Sequence, residues 1–515
     1  MLLKSISAND LKPFKSLAIQ ECPCMFEFDG TEHILNTGLG LTASTQTYEN
    51  FAGLSGSNDV NRLSFGSCYS SNLMLDSFSI DEYTPLIESS NSNVLVNRGE
   101  DITGSKFNSV EPRYTQMTWD TRLSPQPSNE FGLTSYFTQL NNDFGNSNSS
   151  TQTTDWFSQN LSDPQLITKA RALAADNQFS RNDMIEIFRN AKDDNVINAI
   201  ELKDLRVLVS NADRFNMPDY VRVLSDKVVN TNVANTKYQG QNLDNLFAGS
   251  TGNQMEKLIG KWFLGSDRPT IPVNYTYQQA SGFLFQNGVS YQDVNQGGLA
   301  NCYFMAGLAE VALHSPSKIQ SMFTDNGDST YTVRFYKNGV ADYVTVDKFL
   351  PITSSGTFAY AQQTKSNGGY YNDSSNELWV ALAEKAYAQI NESGWIEQSN
   401  TNSYLGIEYG ADNKVVTHVT GRNTSSSSLD FNSMVNAYKT GNLMGVSSYV
   451  SGVASNIVPN HVYVVTNYDS LTQKFTLYNP WGMNGGYYEG KFKPGTVQLS
   501  FNELKASFAS WSYTT

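Results

Sequence analysis

The spacing of apolar residues divides the chain into three stretches. From residue 156 to about residue 230, apolar residues recur every three or four positions, which is the period of an amphipathic helix. This spacing predicts four helices, around residues 166–173, 184–188, 202–209 and 220–224. We therefore predict a small helical module over residues 156–230.

The stretches on either side of the module have different patterns. Residues 1–150 are rich in Ser, Asn, Gly and Thr, and their short alternating runs are closely followed by turn residues, which predicts a β-rich N-terminal region. Residues 141–154 contain almost nothing apolar to bury and are typical of a linker. Residues 256–515 mix helical and alternating patterns, so the predicted fold class is α+β.

The helical module contains a weak internal repeat, in which residues 176–183 recur as residues 194–201. Both copies resemble the second half of an EF-hand loop, with a turn, an apolar residue and then an acid that opens a helix. In the first copy, loop positions 1 and 3 are Ala172 and Ala174, which cannot supply the oxygen ligands that Ca²⁺ requires. We interpret the repeat as degenerate EF-hand-like loops in a paired-helix module, and a calcium site is the alternative.

Charge and hydropathy exclude two classes of partner. The net charge of −14 argues against a nucleic-acid-binding protein, which needs Lys and Arg to neutralise phosphates. No stretch approaches the roughly 18 apolar residues that span a bilayer, so we expect no membrane span. The N-terminus lacks the apolar segment of a secretory signal, which leaves a cytoplasmic location or leaderless export as expectations.

Cys302 stands apart from the other cysteines, Cys22, Cys24 and Cys68, which lie in the N-terminal quarter and form no disulfide framework. An apolar run with helical spacing follows Cys302 and is closed by Pro316. With Asn301 as the N-cap, Cys302 falls in the first helical turn, where the helix dipole favours a thiolate. The amide of Gln296 could donate to an oxyanion beside that thiol. A buried cysteine that caps a core helix is the structural alternative.

A base for this thiol must come from four histidines, of which His461 has the most suitable surroundings. It opens a run that alternates as a strand does, and a second strand after a turn ends at Asn479. In an antiparallel pair, Asn479 would lie near His461 and could fix the tautomer of its ring. Trp481 could then shelter that contact from water. His418 is a weaker alternative base, and the remaining histidines are His33 and His314.

Four motifs in one order resemble the calpain cysteine peptidases. They are QGGLANCYF at 296–304, NELW at 376–379 with EKAYA at 384–388, NHVY at 460–463 and NPWG at 479–482. The resemblance covers about residues 260–515 and implies a two-lobed, papain-like peptidase domain. It also implies that Cys302, His461 and Asn479 form the catalytic triad and that Gln296 belongs to the oxyanion hole.

The sequence departs from the calpain pattern at several positions. Tyr303 stands where calpains have tryptophan, which keeps an aromatic residue beside the nucleophile. Asp293 falls on an acidic ligand of the first calcium site of the family, and Glu397 is its candidate partner. The acidic cluster of the second site is missing, because Glu489 is the only carboxylate between residues 481 and 502. The chemistry needs no cofactor, and whether calcium is required stays open.

These features predict a cysteine endopeptidase that hydrolyses protein or peptide substrates through an acyl-enzyme intermediate. Trp481, Gly394 and Trp395 are candidate residues of the substrate cleft. The N-terminal half is expected to inhibit the peptidase in cis, with the helical module covering the cleft. One alternative is a catalytically silent binding or scaffold protein of the same fold. Acyl transfer to an amine is another, although enzymes of that class pair the histidine with aspartate rather than with Asn479.

Overall fold

The computed structural model describes residues 155–363 and 369–515, and two short strands near the N-terminus. The chain divides into two compact units, residues 1–149 and residues 150–515. In the first unit, strands β1 (Met25–Phe28) and β2 (Thr31–Ile34) pair antiparallel, with Met25 opposite Ile34. The rest of the predicted β-rich region and the whole of the predicted linker at 141–154 lie outside the described residues.

The second unit begins with helices where the apolar spacing placed them. Asp183 and Glu201, the acids of the internal repeat, each accept a hydrogen bond from an N-cap backbone N–H and so form capping boxes. The residues that resemble EF-hand positions therefore start helices. The helices are α1 (Trp156–Asn160), α2 (Pro164–Leu173), α3 (Arg181–Asn190), α4 (Ala199–Ser210) and α5 (Asp219–Val229).

Residues 196–251 also contribute four short strands, in two antiparallel pairs. The first pair joins Val196–Ile197 to Ser250–Thr251, and the second forms a tight hairpin. The strands are β3 (Val196–Ile197), β4 (Lys237–Tyr238), β5 (Gln241–Asn242) and β6 (Ser250–Thr251).

The remainder of the unit mixes helices and strands, which confirms the predicted α+β class. The helices are α6 (Gly252–Trp262), α7 (Cys302–His314), α8 (Pro316–Met322), α9 (Trp379–Ile390), α10 (Asp412–Thr420), α11 (Phe431–Lys439) and α12 (Phe501–Ser507). The strands before α9 are β7 (Thr276–Gln279), β8 (Phe323–Asp325), β9 (Thr330–Lys337), β10 (Val340–Asp347) and β11 (Phe349–Ile352). Those after it are β12 (Thr424–Ser427), β13 (Met444–Ser448), β14 (Val462–Asp469), β15 (Lys474–Tyr478), β16 (Gly486–Tyr488), β17 (Lys491–Lys493), β18 (Thr496–Ser500) and β19 (Phe508–Thr514).

A six-stranded antiparallel sheet separates two hydrophobic cores. Its strand order is β12-β19-β13-β14-β15-β18. Because successive side chains of a strand point to opposite faces, β14 contributes to both cores. Val462 and Val464 belong to a larger core shared with the helices, whereas Tyr463 and Val465 belong to a smaller core on the other face. The sheet is therefore buried on both faces along this strand.

The helical module shares the larger core with the residues that follow it. The Lys227 ammonium of α5 donates to the Tyr343 carbonyl at 2.7 Å and pairs with Asp342 of β10 at 2.5 Å. Arg181 of α3 donates to the Phe263 carbonyl at 2.5 Å, directly after α6. These contacts fix the module against the β9-β10 hairpin and against α6. Among the described residues, no helix is long and apolar enough to cross a membrane.

Candidate active site

Cys302 is the first residue of α7, as its apolar run predicts. Asn301 occupies the N-cap position, but its side chain makes no capping bond. It donates instead to the buried carboxylate of Glu384, on α9, at 2.7 Å. Glu384 also accepts from the Ala361 backbone N–H at 3.0 Å. The turn before the nucleophile is therefore fixed by a buried acid on another helix rather than by a local cap.

The loop that approaches Cys302 is packed closely against two other segments. The Gln296 backbone N–H donates to the Pro480 carbonyl at 2.8 Å, which ties this loop to the segment after Asn479. A side chain at Gly297 would place its Cβ 2.2 Å from the Tyr360 carbonyl oxygen, so only glycine fits there. The Gln296 side-chain amide donates to the Leu299 carbonyl at 2.5 Å, inside the same turn.

His461 directly precedes β14, and Asn479 directly follows β15. Val464 lies opposite Tyr478 in the antiparallel register, which brings the end of β15 to the start of β14. His461 Nε2 and Asn479 Oδ1 are 2.9 Å apart, and both side chains are buried. Because Oδ1 of an amide can only accept, Nε2 carries the proton, which leaves Nδ1 as the acceptor nitrogen.

Backbone and ring contacts hold the imidazole in place. The His461 backbone N–H donates to the Ser448 hydroxyl at 2.9 Å, across to β13. The rings of Tyr463 and Trp481 meet the imidazole edge-on, with centroid distances of 5.2 and 5.4 Å. Trp481 thus lies where the sequence predicted a shield for the contact between His461 and Asn479.

The Cys302 thiol lies at the boundary between the first turn of α7 and the start of β14. Its side chain is partly buried and packs against the larger core, while Trp481 packs against the smaller one. The nearby backbone N–H groups of Val462 and Tyr303 lower the pKa of the thiol, but burial outweighs them and raises it to about 11. Burial lowers the pKa of His461 to about 4. In this arrangement, both groups are therefore neutral near pH 7.

Asp293 and Glu397, the two candidate calcium ligands, have separate surroundings. Asp293 accepts hydrogen bonds from the Ser290 backbone N–H at 2.7 Å and from the Trp379 indole at 3.3 Å. Glu397 is exposed and pairs with Lys414. Trp379 begins α9 and Glu397 follows its other end, roughly 16 Å along the helix axis. The described contacts do not bring these two acids together.

The negative charge of Asp293 acts on Glu377, whose pKa is raised to about 7, first by burial and further by that charge. Glu377 accepts from the Gln286 backbone N–H and from the Gln363 side chain. Each acid therefore accepts from two N–H donors, which in Asp293 both bond to Oδ2. No group of three or more His, Cys, Asp or Glu side chains converges within residues 155–363 and 369–515.

Gly394 and Trp395 line a cavity of about 980 Å³ whose lining residues do not include Cys302, Gln296 or His461. The Trp395 indole donates to Asp342 at 2.8 Å, and its ring meets His418 edge-on. His418, the alternative base, lies on α10, where its Nδ1 is 3.0 Å from the Tyr387 hydroxyl. The structure thus places these three residues in surroundings separate from those of Cys302.

Sequence reasoning missed Glu384 and Ser448, which hold Asn301 and His461, and Glu377, whose pKa responds to the charge of Asp293. Glu384 and Glu377 lie inside the EKAYA and NELW motifs, so those motifs contained a usable signal. Ser448 lies in an ordinary strand, and its contact with His461 depends on strand pairing alone.

Comparison with known proteins gives a family match over the same part of the chain. The family model described as calpain family cysteine protease matches residues 268–499. The calpain-type cysteine protease DEK1 of Zea mays is 28% identical over 220 residues, which are 38% of this chain and 9% of that protein. The calpain-type cysteine protease ADL1 of Oryza sativa is 30% identical over 168 residues, 32% of this chain and 7% of that protein.

An animal relative matches over a similar span. The calpain-1 catalytic subunit of Mus musculus is 25% identical over 220 residues, which are 38% of this chain and 28% of that subunit. The matched segment thus spans less than a third of each of these relatives.

Proposed function

Residues 268–499 of this chain belong to the calpain family of cysteine proteases, and on that basis we propose that the chain is an intramolecularly regulated cysteine endopeptidase. Cys302 is the nucleophile, His461 the base, Asn479 the residue that orients the base, and Gln296 an oxyanion donor. The observation that carries the proposal is the buried 2.9 Å hydrogen bond between His461 and Asn479, next to the start of the helix that carries Cys302. The two cores on either side of this site support a two-lobed, papain-like arrangement.

The proposed reaction uses the proton positions that the hydrogen bonds favour. Because Nε2 of His461 donates to Asn479, Nδ1 can accept the thiol proton as the sulfur attacks a peptide carbonyl. The Cys302 backbone N–H and the Gln296 amide then donate to the oxyanion, and the amide has a second hydrogen besides the one that it donates to the Leu299 carbonyl. The imidazolium gives its proton to the departing amine, and water attacks the thioester with His461 as base to release the acid.

The resting arrangement supports regulation. Burial raises the pKa of the thiol and lowers the pKa of the imidazole, which disfavours the thiolate–imidazolium pair in this arrangement. We assign the restraint to the N-terminal half of the chain. The contacts of the helical module reach Asp342 and Phe263 rather than Cys302. We therefore propose that the residues before the module cover the cleft, and not the module itself.

The proposed chemistry requires no metal, since a thiol, an imidazole and amide donors supply every step. Calcium, which the family resemblance implies, would need Asp293 and Glu397 in one site, whereas their described contacts are separate, to Ser290 and Trp379 and to Lys414. Hydrolysis rates that are equal in calcium and in a chelator are therefore expected. A calcium requirement that is lost in Asp293→Asn would instead assign the ion to this pair.

Labelling of the purified chain by an epoxide thiol inhibitor tests the proposal. We expect the inhibitor on the peptide that contains Cys302, together with hydrolysis of a denatured protein substrate. Cys302→Ser should lose both the label and the activity, the latter by about a thousandfold or more. The matched control is Cys68→Ser, which should keep both. Absence of labelling and hydrolysis in the unaltered chain would favour the silent scaffold protein instead.

A further inference from the structure

Two buried carboxyl groups meet behind the candidate nucleophile. Glu310 lies eight residues after Cys302 on α7 and is 1% exposed, and Asp412 begins α10 and is 5% exposed. Both face Gly445 of β13. A Cβ built at Gly445 would lie 2.1 Å from Asp412 Oδ2 and 2.6 Å from Glu310 Oε1. The two oxygens are therefore no farther apart than those two distances combined.

The hydrogen bonds of this pair join the helices to the sheet. The hydroxyl of Ser512, on β19, donates to Asp412 Oδ2 in a short hydrogen bond. Glu310 Oε1 is buried and has no hydrogen-bond partner among the described residues. Two ionised carboxylates in such a place would repel each other without solvent to screen them, so at least one of the two must stay protonated.

Neither carboxyl group is neutralised by a nearby cation. Burial and the negative charge of Asp412 raise the pKa of Glu310 well above its usual range, and burial raises that of Asp412. Strand β13 carries no titratable side chain. The surrounding elements carry the titratable or charged groups Cys302, Tyr303 and His314 of α7, Tyr291 and Asp293 of the turn at 291–293, Lys318 of α8, Arg334, Tyr331, Tyr336 and Lys337 of β9, Lys414 and His418 of α10, Tyr463, Tyr468 and Asp469 of β14, and Tyr513 of β19.

Three basic groups of that set have described contacts elsewhere. Lys414 pairs with Glu397, Arg334 donates to Ser321, and His418 contacts the Tyr387 hydroxyl. The pair also affects the pKa of Cys302, because the negative charge of Asp412 adds to burial in raising the pKa of the thiol.

We propose that Glu310 and Asp412 share a proton that holds α7 and α10 against the six-stranded sheet, and that loss of this proton to alkaline solvent separates these elements and ends activity. Glu310 and Asp412 are positioning residues under this proposal, since neither touches the substrate. The part that concerns activity rests on the proposed function. The part that concerns the proton does not.

The sign of the pH dependence follows from burial. A carboxyl group whose pKa is raised in the folded state binds its proton more tightly there than in the unfolded chain. The stability that it contributes is complete below the unfolded pKa of about 4 and is lost as the pH rises toward the folded pKa. The pair therefore makes the unfolding temperature fall with rising pH.

The variant Glu310→Gln tests the proposal in the full chain. Glutamine keeps the size of the side chain and can donate to Asp412, but it cannot ionise. We expect the infrared difference between the unaltered chain and E310Q at neutral pH to contain the carbonyl stretch of a protonated carboxyl group. We also expect the unfolding temperature of E310Q to fall less steeply between about pH 5 and pH 9. The alkaline midpoint of kcat/KM should rise by about half a pH unit or more.

The matched control is Glu201→Gln, which replaces another buried acid, one that caps α4 in the helical module. It should leave the alkaline midpoint unchanged. If E310Q folds poorly, Asp412→Asn is measured in its place, and the same changes in the infrared band and in the pH dependence of unfolding are expected. The proposal is overturned if both variants keep the pH dependence of unfolding and neither loses a protonated carboxyl band. The unfolding and infrared measurements need no substrate, so they test the shared proton even if the chain proves to be inactive.

Discussion

At the scale of single residues, the candidate chemistry depends on which nitrogen of His461 carries a proton. The acceptor oxygen of Asn479 places that proton on Nε2, and Trp481 and Tyr463 confine the ring between them. Asn479 also accepts from the Trp481 backbone N–H at 3.1 Å, so the same oxygen fixes the indole that shields the site. One amide thus positions both groups.

Replacement of Asn479 by alanine should lower kcat more than it changes KM. Loss of a hydrogen bond worth about 1.5 kcal/mol frees the imidazole to rotate, which corresponds to roughly a tenfold slower reaction. Steady-state kinetics with a peptide substrate measure this effect. The exposed Asn467→Ala, on β14, serves as the control and should have no effect on kcat. An Asn479→Ala enzyme with unchanged kcat would show that another group orients the base.

At the scale of elements, the segment between β13 and β14 ends at His461, and a buried lysine holds it together with Ser507 and Tyr463. Lys493 of β17 is 3% exposed and donates to the carbonyls of Ser455 and Ile457 at 2.9 and 2.7 Å. An ammonium group in this position satisfies two backbone oxygens of a loop that has no regular structure. The position of His461 therefore depends on a strand that follows it by about thirty residues.

Lys493→Met should loosen this loop while the sheet stays folded. Two hydrogen bonds from a charged donor are lost, so the free energy of unfolding should fall by about 2 kcal/mol. Amide hydrogen exchange at residues 449–460 should become faster, and kcat/KM should fall with it. Lys491→Met, two residues away on the same strand and exposed, should change neither. Unchanged exchange in K493M would mean that the loop is held by other contacts.

At the scale of the whole molecule, the helical module is part of the folded unit that contains the peptidase residues. Lys227 is buried against Trp262, with its ammonium 4.5 Å from the ring centroid, and pairs with Asp342. A chain that began near residue 255 would leave Asp342 without this partner, which costs about 3 kcal/mol or more for a buried ion. Regulation by the N-terminal part must therefore be tested with the module retained.

A chain shortened to residues 150–515 provides that test, because this boundary separates the two compact units. If residues 1–149 inhibit in cis, the shortened chain should hydrolyse a peptide substrate several-fold faster than the full chain. Adding residues 1–149 as a separate chain should slow it again. Equal rates for the two chains would remove the proposal of cis inhibition, whether or not the peptidase is active.

The sequence by itself determined the features that depend on local pattern. Apolar spacing located the helices of the module and the start of α7 at Cys302, and alternation located β14 and β15. The period of a helix or a strand can be recognised from residues that are adjacent in the sequence. The order of the residues alone also indicated that His461 precedes one strand, that Asn479 follows the next, and that these two strands pair. These predictions needed no knowledge of distant contacts.

Tertiary structure decided which distant groups meet. The sequence contained no indication that Asn301 would donate to Glu384 instead of capping α7, or that Asp293 would lie near Glu377 rather than Glu397. Nor did it indicate that Glu310 and Asp412 would meet over Gly445. A buried polar group forms a hydrogen bond with the group that packing places within about 3 Å of it. Packing depends on the whole fold rather than on neighbouring residues.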